Sequence, residues 1–148
     1  MSDAAMTRRA RSRAAASWRR WPHPARTMYL DMDASEPAHD VIAVHVTGEI
    51  DMLTAPVLRS GLAFLIDSAP AVLVIDLTGV RFIGASGFAA LVGTRDEAAT
   101  TELRLVCDSH AVLRPLEILG LDAVFPVFAD VVTALRRGGR SRAAAPWP

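Results

Sequence analysis

The chain lacks lysine altogether, holds a single cysteine, Cys107, among its 148 residues, and gives only 6% of them to aromatics. Each shortage removes a class of chemistry. Without lysine there is no Gly-x-x-x-x-Gly-Lys-Ser/Thr phosphate loop and no Schiff base, so nucleotide hydrolysis of that kind and lysine catalysis drop out. A lone cysteine cannot close an internal disulfide; Cys107 reads as a small core hydrophobe, and the default compartment is the cytoplasm. No run approaches the roughly 18–20 apolar residues that span a bilayer, and the opening residues lack the apolar stretch of a secretory signal. Stable membrane insertion is not expected. The four histidines, His23, His39, His45 and His110, form no i, i+4 pair, so neither a zinc site nor any other cofactor is expected. His45 reads as a strand residue on the less buried face of a sheet.

What is present is a core's worth of apolar residues, 51% of the chain, in a length that suits one domain. Sixteen arginines balance sixteen acids, but unevenly. Residues 1–26 carry seven arginines against Asp3, a charge of +6, and residues 136–148 carry four arginines and no acid. The body, 27–135, holds five arginines and fifteen acids, a charge of −10. Such a body repels phosphates, and no specific nucleic-acid binding is expected of it. Residues 1–26 and 138–148 show no helical or strand period and read as mobile basic tails around a domain at 27–137. The first of them also resembles a transit peptide or a membrane-surface segment, and Met28 is an alternative start.

Within the body, strand-like and helix-like segments alternate, which predicts an α/β domain: a central mixed sheet of about four to five strands with about four helices. Met28–Met32 is a possible edge strand, Val41–Thr47 a β-branched strand, Ala71–Asp76 the central strand and Glu102–Cys107 a fourth, with Ala123–Phe128 a short last one. The chain is expected to turn through Thr78-Gly79. A first helix follows Thr54, a plausible N-cap, with Pro56 in its first turn and Leu58, Leu62, Leu65 and Ile66 on one face. A second starts near Ser86, with Phe88, Leu91 and Val92 on its apolar side. A third, capped by Ser109, reaches Leu119 and stops at Gly120; Pro115 inside it predicts a bend, or a start delayed to Arg114. A last helix spans Asp130–Arg137, with Asp130 at its N-terminus.

Gly84-Ala85-Ser86-Gly87 superficially resembles a nucleophile elbow, but the second glycine follows the serine directly and no histidine base is well placed, so the chain is not expected to be an enzyme. Ser86 stands between the central strand and a helix start, where unpaired N–H groups and the positive end of the helix dipole converge. Two readings remain: a simple N-cap, or a hydroxyl that accepts a phosphoryl group and so switches an interface without unfolding the domain.

The stretch VIDLTGVRFIGASGFAALV resembles the signature of STAS domains, closest to the bacterial anti-sigma factor antagonists. The family form runs Asp-Leu-Ser/Thr-Gly-Val-x-Phe-Ile/Met-Asp-Ser-Ser-Gly-Leu; Asp76, Leu77, Thr78, Gly79, Val80, Phe82, Ile83, Ser86 and Gly87 match it. Gly48-Glu49-Ile50-Asp51 with Thr54-Ala55 resembles the family's Gly-Glu-Leu-Asp loop, and Leu113–Asp122 its Leu-Glu-Leu-Thr-Gly-Leu-Asp segment, so the resemblance covers about residues 40–136. It implies a partner switch: the antagonist binds an anti-sigma factor serine kinase, is phosphorylated on Ser86 and released, and a phosphatase resets it. ATP and magnesium belong to the kinase. Glu49, Asp51, Thr54, Gly84, Ala85, Ser86, Gly87 and Phe88 would form the partner-binding surface. Gly84 and Ala85 depart from the family's acid and first serine. With the acid gone, an unphosphorylated STAS adaptor in a signalling or lipid-transport assembly, or a nucleotide- or small-molecule-sensing STAS module, are the alternative readings.

Overall fold

The computed structural model of the protein describes residues 29–136; the expectations for the basic tails fall outside that span. Five strands, β1 (Leu30–Ala38), β2 (Val41–Ile50), β3 (Val72–Ile83), β4 (Glu102–Val106) and β5 (Val127–Phe128), form one sheet in sequential order. The β1–β2 pair is antiparallel and the others parallel, with α1 (Ala55–Asp67), α2 (Ala85–Glu97) and α3 (His110–Ile118) as the crossovers and α4 (Val131–Leu135) after β5. The expected mixed α/β sheet is present.

Side chains alternate across the sheet as strand geometry requires. Ile42, Val44 and Val46 of β2 and Leu73, Ile75 and Leu77 of β3 meet Leu58, Leu62 and Leu65 of α1, Phe88 and Leu91 of α2, and Val112 and Leu116 of α3 in the main core, which also takes Cys107. The opposite face, at Val74, Val106 and Phe128, is covered by Ala134 of the short α4. Arg104 ties that helix down by donating to the Ala134 carbonyl at 2.7 Å. Asp130 caps it, accepting the Thr133 N–H at 2.7 Å.

Three expected boundaries are corrected, and a fourth takes one of its two expected forms. The edge strand is not Met28–Met32 but Leu30–Ala38; residues with little strand preference of their own are held extended by the ladder to β2, and the shift between Ser35 and Ala38 accommodates Pro37. Thr78-Gly79 is no turn: β3 continues to Ile83, and the register steps from His45↔Asp76 to Thr47↔Gly79, one residue longer on β3. The Asp76 carboxylate accepts the Thr78 N–H at 3.0 Å at this bulge. Gly79 is needed there, since a Cβ would lie 2.6 Å from Thr47 Cγ2. Of the two starts expected for the third helix the structure takes the earlier: it begins at His110 after Ser109 and carries Pro115 inside, and burial of Val112, Leu113 and Leu116 outweighs the one missing backbone hydrogen bond. The last strand shrinks to Val127–Phe128, because Leu121–Ala123 winds into a 3-10 turn after Gly120, whose φ of 70° reverses the chain.

Candidate functional site

The parallel pair β2 and β3 ends in register at Ile50↔Ile83, and the next residue, Gly84, donates its N–H to the Ile50 carbonyl at 2.9 Å. This pairing sets the Asp51 loop beside the start of α2, so segments some 35 positions apart share one edge of the sheet. Gly87 brings them closer still. A Cβ there would stand 2.6 Å from both Ile50 Cγ2 and Ile83 Cγ1, so the first turn of α2 rests on the strand ends at a distance only glycine permits.

The Asp51 loop is braced from inside. The Asp51 carboxylate accepts the N–H groups of Leu53 at 2.8 Å and Thr54 at 3.0 Å. The Thr54 N–H first, then that of Leu53, holds this carboxyl below its ordinary value of 3.8. Thr54 occupies the N-cap position of α1, as expected, but its hydroxyl makes no capping bond. It turns back instead, donating to the Glu49 carbonyl at 2.7 Å and accepting the Asp51 N–H at 2.9 Å. Glu49 is half-buried, its N–H given to the Tyr29 carbonyl at 2.9 Å.

Gly84, not Ser86, is the N-cap of α2, which corrects the simple capping reading: its φ of −95° and ψ of −178° are extended and place Ser86 second in the helix. Among the described residues the Ser86 hydroxyl has no hydrogen-bond partner. It is half-buried and opens on a shallow groove of about 450 Å³ lined by Met52, Ala55, Pro56, Arg59, Ser86, Ala89 and Ala90. Ala85 is exposed beside it and Gly84 half-buried.

The eight residues named from the sequence therefore come together, but not on one surface. Glu49, Asp51, Gly84, Ala85 and Ser86 reach the outside, while Thr54 at 3% exposed, Phe88 at 4% and the buried Gly87 support it from beneath. Those three residues offer almost no surface at this edge. Sequence reasoning missed four others. Met52 and Leu53 are 83% and 82% exposed, and Phe82, whose ring lies 3.6 Å from where a Gly84 Cβ would be, is 52% exposed. An apolar Met-Leu pair inside a loop, off the face that α1 turns to the core, was the available signal. Arg59 crosses from α1 to α2, giving Nη1 to the Ala90 carbonyl at 3.3 Å and Nη2 to Glu97 at 2.5 Å. His45 stands apart from this edge, on the sheet face away from α1 and α2, bonded through Nδ1 to Asp76 at 2.7 Å.

Among the described residues no three His, Cys, Asp or Glu side chains cluster to hold a metal, and no helix is long and apolar enough to cross a membrane.

Comparison with known proteins places this geometry. The sequence profile of the STAS domain matches residues 14–134. The anti-sigma-F factor antagonist RsfB of Mycobacterium tuberculosis is 34% identical over 106 residues, 69% of this chain and 87% of the relative. An anti-sigma-B factor antagonist of Listeria monocytogenes is 30% identical over 102 residues, 68% of this chain and 90% of the relative. Among solved structures, an anti-sigma factor antagonist from Mycobacterium paratuberculosis superposes with a TM-score of 0.68 at 33% identity, covering 76% of this chain and 93% of that one.

Proposed function

Because the chain belongs to the STAS domain family, among the anti-sigma factor antagonists, we propose that it binds an anti-sigma factor serine kinase through the β2–β3 edge and is released when that kinase phosphorylates Ser86. The observation that carries this reading is the setting of Ser86: a hydroxyl without a partner among the described residues, in an apolar groove on the same edge as exposed Met52, Leu53 and Phe82. The exposed side chains supply contact area and the hydroxyl supplies the control point. In the transfer, Ser86 Oγ attacks the γ-phosphorus of ATP held by the partner. The new O–P bond forms as the bond to the β-phosphate oxygen breaks, ADP leaves, and the hydroxyl proton passes to a base of the kinase. The protein itself acts by binding, in the cytoplasm, and a phosphatase restores it.

Phosphorylation adds about −1.5 to −2 charge. On this edge it lands among apolar contacts and in a body already at −10, so release follows from desolvation and like-charge repulsion. Gly84 does not stand against this. Its backbone is extended and its N–H bond to the Ile50 carbonyl fixes the start of α2, which supports Ser86 as the acceptor in the absence of the family's acid.

Titration calorimetry with the purified kinase tests the interface. Ser86→Asp is expected to weaken binding by on the order of 1–3 kcal/mol, and Met52→Asp to weaken it as well. Unchanged affinity in both variants would place the interface elsewhere.

A further inference from the structure

We propose that Arg59 is the intramolecular receiver of a phosphoryl group on Ser86, leaving its seat on Glu97 to pair with the phosphate. The inference rests on the reading of Ser86 as a phosphoacceptor and adds what the protein's own residues do once the group is in place.

Arg59 and Ser86 line the same groove, whose other described walls are Met52, Ala55, Pro56, Ala89 and Ala90, so Arg59 is the one cation among the described lining residues. Its guanidinium lies flat along α2. A Cβ on Gly93 would be 1.8 Å from Nη1, which means the side chain occupies the space glycine leaves. Nη1 sits beside Gly93, seven residues beyond Ser86 and about 10 Å along the axis, and gives its hydrogen to the Ala90 carbonyl one turn beyond Ser86. Among the described residues the α2 wall of the groove between them is Ala89 and Ala90, so a change of arginine rotamer carries the guanidinium toward Ser86 along small side chains.

The present seat is a weak competitor. Glu97 is a single carboxylate, 58% exposed, and its pairing with Arg59 is screened by water. A phosphoserine offers up to two negative charges and three acceptor oxygens in a groove with apolar walls, and guanidinium matches that geometry with two parallel N–H donors. The transfer changes the surface twice. An ion pair fills the groove that the partner's apolar side chains would enter, and Glu97 is left bare at the far end of α2. The modification thus erases the docking groove as well as charging it.

The test uses full-length protein with phosphoserine installed at position 86 by genetic encoding, which removes any dependence on the cellular kinase. The readout is the phosphorus NMR titration of the phosphate, whose second pKa lies near 6 when unpaired. Pairing with Arg59 is expected to lower it by about 0.5–1 unit relative to the same protein carrying Arg59→Gln. Glu97→Gln, which removes the competing carboxylate, is expected to lower it further. Phosphate titrations identical in the parent and Glu97→Gln proteins, with Arg59→Gln also unchanged or too unstable to measure, would overturn the proposal. Failure of the kinase to modify Ser86 would overturn the function proposed above and leave this titration untouched, so the two are separable.

Discussion

At the scale of single residues, two glycines three positions apart do opposite things. Gly87 is a contact that cannot be filled: a methyl group would press on the buried Ile50 and Ile83 at 2.6 Å. Gly87→Ala is expected to destabilise the protein by about 1–3 kcal/mol, read as a lowered midpoint of denaturant unfolding. Gly84 has ordinary room, since a methyl group there would stand 3.6 Å or more from its nearest neighbours, and its extended backbone suits any residue. Gly84→Asp, which restores the family's acid at an N-cap, is expected to fold as well as the parent or gain a few tenths of a kcal/mol. Equal losses in both variants would contradict the packing account.

Asp51 is the other residue whose role is specific. Its carboxyl is held below the ordinary value by the Thr54 and Leu53 N–H groups, so its bonds favour the ionised form in the folded state. With the folded-state pKa depressed, its stabilising contribution is complete at neutral pH and fades as the pH falls from the ordinary value through the depressed one. Asp51→Asn is therefore expected to be less stable than the parent near pH 7, with the gap closing in acid below 3.8. Unfolding midpoints measured across that range check the sign.

At the scale of elements, the parallel strands and the helices between them were legible because their apolar spacing is regular. Leu58, Leu62 and Leu65 recur at helical spacing, and Leu73–Leu77 is buried without a break as a central strand must be. Elements shaped by tertiary pairing were not. Nothing in Asp-Ala-Ser-Glu-Pro-Ala favours a strand until β2 offers its edge, and Thr78-Gly79 carries the composition of a turn although it serves as a bulge in a continuing strand. Pro115 shows the same override in a helix, since packing of α3 outweighs the local penalty. Pro115→Ala returns a donor to the Ala111 carbonyl and is expected to raise stability by about 1–3 kcal/mol, less whatever contact the half-buried ring makes. Thermal unfolding would show it as a higher Tm.

At the scale of the whole molecule, the candidate site depends on topology. Asp51 and Ser86 are neighbours because β2 and β3 run parallel and end together, and motif matching could name both residues without saying which face outward. Burial decides that: Thr54, Gly87 and Phe88 carry the edge while Met52, Leu53 and Phe82 present it. The fold thus separates the support of the surface from its contact residues, which lets a charge appear at Ser86 without disturbing the core beneath. Circular dichroism of the phosphorylated protein is expected to match that of the parent even where binding is lost.

The most direct test of the switch is to incubate the protein with its kinase partner and ATP while following both phosphate incorporation and complex size. The account predicts one phosphoryl group, located on Ser86, with dissociation of the complex in step with its appearance, and a Ser86→Ala protein that stays bound and unlabelled. Labelling of Ser86→Ala, or a fully phosphorylated protein that remains in the complex, would contradict it.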